Sequence, residues 1–162
     1  MINTTSIKTP EHMIGMGQIA LGESPQTLKA VVGSCIALVL YHPQLKRGAM
    51  AHIVLPNAAG RTNTPGKFAD TAIPHMLELM KDLGLPHRGL TAKFAGGANM
   101  FNGNGPMQIG KSNAETVAQA LQTAGIRIAG QDVGGSRGRR VIFDCTSGVM
   151  TIECAGLPAK SL

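Results

Sequence analysis

Residues 31–56, reading VVGSCIALVLYHPQLKRGAMAHIVLP, constrain this chain more than any other stretch. They hold two apolar runs, 36–41 and 49–55, that read as buried strands. Between them, residues 42–48 read as a loop with Pro43 and Gly48 as breakers. Cys35 stands at the entrance of the first run and His52 inside the second. If the two runs pair as antiparallel neighbours, the start of one lies near the end of the other, and Cys35 and His52 meet across the sheet. A thiol beside an imidazole is a way to activate sulfur, because the histidine takes the proton and stabilises the thiolate. The same two residues also fit a plain core, as a small buried thiol and a hydrogen-bonded histidine. Gly33 and Ser34, just before the cysteine, permit a close backbone approach in which consecutive N–H groups face an oxyanion.

A length of 162 residues suits one domain, 1–162, with a core of useful size. Hydrophobic residues make up 43% and charged residues 15%, a globular balance without a disorder signature. Aromatics are only 3%, so the core is expected to be aliphatic with the nine Met filling gaps. No apolar run approaches a membrane span, and residues 1–10 lack the basic-then-apolar plan of a signal peptide, so no membrane insertion and a cytoplasmic location are expected. The three cysteines have neither zinc-site nor redox-pair spacing; Cys145 and Cys154 read as facing strand residues. A net charge of +6 raises the question of nucleic acid. The one dense basic cluster, Arg137, Arg139 and Arg140, has no aromatic platform beside it and reads as a solvated turn, so nucleic-acid binding is not expected.

Along the chain, residues 1–12 read as a loose terminus and 13–21 as a first strand. The Gly15-x-Gly17-x-x-Ala20 pattern in that strand lacks the strand, helix and acidic residue that would make it a dinucleotide site. Residues 22–26 form a turn, and 27–32 lead into the central stretch. Residues 57–65 read as a polar loop, either a lid or an ordinary surface connection. A helix is expected over 70–83, capped by Asp70, tolerating Pro74 only in its first turn and stopped by Gly84. A strand at 90–95 precedes a turn-rich loop, 99–106, where Met100 and Phe101 form either an exposed apolar knob or a core plug. Ser112 and Glu115 match a capping box for a second helix, with Val117, Leu121 and Ala124 as its apolar stripe and Gly125 as its stop. A strand over 126–133, a hairpin of 139–145 with 148–154, and a loose tail, 156–162, complete the chain. About seven strands with two late helices give an α+β fold.

Five motifs in order carry a resemblance. They are GSCIA with His52 in GAMAHIVLP, GKFAD at 66–70, AKFAGGANMF at 92–101, IGKSN at 109–113, and DVGG at 132–135 followed by Gly138-Arg139. Together they make the chain resemble the CheD family of chemoreceptor glutamine deamidases. The resemblance implies a layered sandwich of mixed β-sheet with outer helices, similar to the catalytic domains of cytotoxic necrotizing toxins. It implies hydrolysis of glutamine side chains on methyl-accepting chemotaxis receptors, with Cys35 and His52 as the catalytic pair, and needs no cofactor or metal. It also implies partnership with a CheC-type phosphatase, for which Phe101 is the candidate contact. The family's threonine six positions before the cysteine, associated with orienting the histidine, is Lys29 here. An ammonium only donates, so Thr27 or a backbone carbonyl is expected to take that role, with Thr27 preferred.

Overall fold

The computed structural model describes residues 10–101 and 108–162. Among the described residues are ten strands: β1 (Glu11–Met13), β2 (Ile19–Glu23), β3 (Thr27–Val32), β4 (Ile36–His42), β5 (Arg47–Ile53), β6 (Thr91–Gly96), β7 (Arg127–Val133), β8 (Arg139–Asp144), β9 (Met150–Glu153) and β10 (Lys160–Ser161). Two helices, α1 (Ala69–Asp82) and α2 (Ile109–Thr123), flank β6 in the chain. The strands form two sheets, ordered β1-β3-β8-β9-β10 and β2-β5-β4-β6-β7. Both are mixed, since β1 pairs parallel with β3 and β6 parallel with β7, while the other ladders are antiparallel.

The central strand explains the layering. All seven residues of β4 are buried, because both of its faces are covered. Ile36, Leu38 and Leu40 pack with Ile73, Met76 and Met80 of α1 and with Val117 and Leu121 of α2. Ala37, Val39 and Tyr41, alternating with them, pack against Leu28, Ala30, Val141 and Phe143 of the other sheet. The result is three layers: helices, sheet, sheet. Each large aliphatic side chain buried in this way contributes about 1.5–3 kcal/mol. The α+β layered sandwich with outer helices is therefore the observed architecture.

Several local expectations are corrected. The expected strand at 13–21 is two strands in different sheets, β1 and β2, joined by a crossing segment at residues 14–18. Helix α2 begins at Ile109, so Ser112 lies inside its first turn and makes no cap; its carbonyl accepts from the Thr116 hydroxyl at 2.8 Å. Asp70 is likewise inside α1, where its carboxylate accepts the Ala58 N–H at 3.0 Å and ties down the 57–65 loop. The guanidinium of Arg61 in that loop lies 4.5 Å from the Phe68 ring centroid, a cation–π contact. The expected loose tail docks instead: β10 pairs with β9, and Leu162 exchanges backbone hydrogen bonds with Met150. At the other end, β1 is ordered on β3 from Glu11, while residues 1–9 lie outside the described residues. The β8–β9 register pairs Arg140 with Glu153, which puts Cys145 and Cys154 at opposite ends of the hairpin rather than facing each other. Arg139 is buried, not solvated; its guanidinium donates to the carbonyls of Gly96 and Gly134 beside the Asp132 carboxylate.

Candidate active site

The β4–β5 ladder sets the positions of Cys35 and His52. It is antiparallel, with Ala37 directly opposite His52 and Ile36 opposite Ile53. Residues directly opposite share a face, so His52 projects toward the second sheet as Ala37 does. Cys35, two residues before Ala37, packs against that same inter-sheet cluster. The thiol and the imidazole thus stand toward the same inter-sheet layer, with Cys35 just beyond the last paired residue of β4.

His52 is 4% exposed. Its Nδ1 lies 3.0 Å from the carbonyl oxygen of Ile14. A carbonyl can only accept, so Nδ1 carries the hydrogen and Nε2 of the neutral ring is the free acceptor. Ile14 is held by its own N–H, bonded to the Lys29 carbonyl at 2.8 Å, and its side chain is buried. The backbone of His52 is clamped as well, to Gly17 and Gln18 of the same crossing segment. The segment between β1 and β2 therefore supplies the orienting group.

Thr27 is not brought to His52. In β3, Leu28, Ala30 and Val32 face the inter-sheet core, so Thr27 and Lys29 alternate onto the opposite face of the sheet. There Lys29 pairs with Glu11 at 2.9 Å, while Thr27 stands in register with Glu11 and Asp144. The preference for Thr27 is corrected in favour of the backbone carbonyl, because strand alternation fixes its side chain on the wrong side.

Cys35 is half-buried, and burial pushes its thiol above the ordinary cysteine range. The same burial favours the neutral form of the thiol. The carbonyls of Gly33, Ser34 and Cys35 are all fixed. They accept from the Ala98 N–H at 2.9 Å, the Asn113 side-chain amide at 3.0 Å and the Gly97 N–H at 2.9 Å. Gly96 makes this close approach feasible: its φ is +126°, and a Cβ there would collide with the Cys35 carbonyl oxygen. Met100 covers Gly33, with side-chain atoms where a Cβ on that glycine would touch them. Phe101 is 86% exposed and adjoins a cavity of about 410 Å³ lined by Ala98, Met100, Ile109, Lys111 and Val133 among others. It is the exposed knob, not the plug; the rest of that expected loop, from residue 102 to 106, lies outside the described residues.

Sequence reasoning allowed for a backbone carbonyl but could not name that of Ile14, and it missed buried Asn113. A backbone carbonyl has no residue signature. Asn113 stood in the quoted IGKSN motif, but only the packing of α2 against the strand ends gives it partners.

A family model described as CheD chemotactic sensory transduction matches residues 54–154. The probable chemoreceptor glutamine deamidase CheD of Desulforamulus reducens is 43% identical over 157 residues, covering 93% of this chain and 94% of that protein. The chemoreceptor glutamine deamidase CheD of Thermotoga maritima is 39% identical over 147 residues, covering 90% of this chain and 93% of that one. Among solved structures, the Bacillus licheniformis hypothetical protein YfiH aligns with a TM-score of 0.47 and 13% identity over 70% of this chain and 49% of its own, too slight a likeness to bear on the fold. With the family model matching more than half its length and relatives near 40% identity along most of it, this chain belongs to the CheD family.

Proposed function

We propose that this protein deamidates glutamine side chains of chemoreceptors, with Cys35 as nucleophile and His52 as base. The observation that carries this reading is the shared face of Cys35 and His52, with Nδ1 of the histidine engaged by Ile14 and Nε2 left to accept a proton. The family membership and the names of its relatives support the substrate. Nε2 takes the thiol proton as sulfur attacks the carboxamide carbon. The imidazolium then passes that proton to the departing nitrogen, releasing ammonia and leaving a thioester. Water, deprotonated by His52, attacks the thioester; the C–S bond breaks, the thiol is restored, and glutamate remains.

The oxyanion formed in each half of the reaction needs donors. In a trans peptide the N–H points opposite to the preceding carbonyl. The Gly33 and Ser34 carbonyls are held on Ala98 and Asn113, so the N–H groups of Ser34 and Cys35 point to the other side, the role proposed for them here. The chemistry calls for no metal or organic cofactor. The proposed substrate is the receptor's cytoplasmic helical bundle and the proposed location is the cytoplasm; no described helix is long and apolar enough to cross a membrane. Incubating a receptor fragment with the protein and reading glutamine-to-glutamate conversion by mass spectrometry tests the activity. No conversion with wild type would overturn it.

A second reading concerns binding. Exposed Phe101, beside its cavity, supports a contact with a CheC-type phosphatase. Phe101→Glu is expected to abolish co-elution with such a phosphatase while leaving deamidation unchanged. Retained co-elution would remove Phe101 from the interface.

A further inference from the structure

Asn113 is completely buried in the first half of α2, and its side-chain amide joins two strand ends. Its Nδ2 donates to the Ser34 carbonyl at 3.0 Å and to the Val54 carbonyl at 2.9 Å. Two carbonyl acceptors can be served only by the N–H₂ group, so the amide orientation is dictated by its partners. Its Oδ1 is left buried without a partner. A fold that tolerates an unpaired buried acceptor bears a cost that functional sites commonly carry.

The place of this bridge is specific. The β4–β5 ladder ends at Ile36 and Ile53. The next pair, Cys35 and Val54, separates, because Val54 and Leu55 turn their N–H groups to the Lys67 carbonyl. The amide of Asn113 sits in the fork, holding the residue before the nucleophile to the residue two past the histidine. Fixing the Ser34 carbonyl also fixes the peptide plane it shares with the Cys35 N–H, on the opposite side of that plane.

We infer that Asn113 is a positioning residue for the reaction: it locks the Ser34–Cys35 peptide so that the Cys35 N–H faces the developing oxyanion. This rests on the assignment of Cys35 and His52 as the catalytic pair. Loss of one oxyanion donor lowers kcat by about 10²–10³-fold where measured, and loosening a donor rather than deleting it is expected to cost roughly 10–100-fold.

The test compares Asn113→Ala and Asn113→Leu with Val117→Ala, a core variant of the same helix, and with Cys35→Ala. Asn113→Leu fills the vacated volume and removes the unpaired oxygen, so it provides a folded variant should Asn113→Ala unfold. On a receptor fragment, both Asn113 variants are expected to lose kcat with KM within about twofold of wild type. Iodoacetamide alkylation of Cys35, a displacement that forms no oxyanion, should stay within about threefold of wild type. Val117→Ala, lowered at least as much in Tm, should keep its kcat. Asn113 variants with wild-type kcat would overturn the inference. So would alkylation falling in step with kcat, or a Val117→Ala loss that tracks Tm equally, since either marks general disorder. An active Cys35→Ala would instead overturn the catalytic assignment beneath it.

Discussion

The ring nitrogen Nδ1 of His52 is bonded at 3.0 Å to the main-chain oxygen of Ile14, a residue 38 positions earlier and in no regular strand. A main-chain acceptor fixes the tautomer as firmly as a side chain does, and substitution cannot delete it. With that acceptor in place, a hydroxyl in the orienting role should be dispensable in this chain. Thr27→Ala and Thr27→Ser are accordingly expected to deamidate a receptor fragment within about twofold of wild type, as suits a residue that touches no reacting atom. A large loss in Thr27→Ala restored in Thr27→Ser would return the orienting role to that hydroxyl.

Cys35→Ala and Cys35→Ser should each abolish deamidation with little change in Tm, because a hydroxyl is far harder to deprotonate than a thiol. Either variant turning over at the wild-type rate would make Cys35 structural.

Reactivity against pH gives an independent check on the state of the free site. Burial raises the Cys35 thiol, so its thiolate fraction at neutral pH is small. Its alkylation rate should keep climbing past about pH 8.5, where an ordinary thiol begins to level off. A plateau already reached near neutrality would mean that the thiol is not raised by its burial.

Gly96→Ala is expected to be among the most damaging single-methyl changes. Its φ of +126° is hostile to any side chain, and the added carbon meets the Cys35 carbonyl, which is backbone and already bonded to Gly97. Strain and collision together should cost about 3 kcal/mol or more, read as a fall in denaturation midpoint. A wild-type midpoint would show that the β6 end relaxes freely.

Alkaline stability should depend on Cys145. The thiol is fully buried, and desolvation, helped by the Asp144 and Glu23 charges, pushes it up to about 11 from 9.0. The folded state holds its proton where the unfolded state has lost it, so this contribution is intact below pH 9 and lost between 9 and 11. The loss is about 2–3 kcal/mol at the top of that window. Cys35 and Tyr41, both raised, add in the same direction. Denaturant titrations of wild type and Cys145→Ala should differ in slope against pH within that window. Equal slopes would assign the alkaline loss elsewhere.

What was legible in the sequence followed burial. Strands β4 and β5 are mostly apolar because both faces are covered, and such runs stand out. Strand β1 did not: Glu11, His12 and Met13 are all exposed, and only backbone pairing with β3 makes them a strand. The serine and glutamate of the apparent capping box occur one turn too late, since Gly110 already packs against the backbone of Gly97 and Ala98 and draws the helix start back. The antiparallel pairing of the two runs that carry Cys35 and His52 was readable because register follows from two adjacent strands. Asn113 and Ile14 were not, because their roles depend on where distant backbone carbonyls come to rest.

The two-sided cover of β4 also governs which side chains can react. If Cys35 is the nucleophile, it sits at the root of a strand covered by helices on one side and a sheet on the other, which favours an end-on approach over lateral binding of a polypeptide. The target must arrive on a stalk, from a surface that itself stays outside. Glutamine standing out from a helix has that reach, whereas asparagine, one methylene shorter, holds its carboxamide closer to the helix and farther from the sulfur. Discrimination between two chemically equivalent amides would then reside in depth, set by the layers of the fold rather than by any contact with the reacting group.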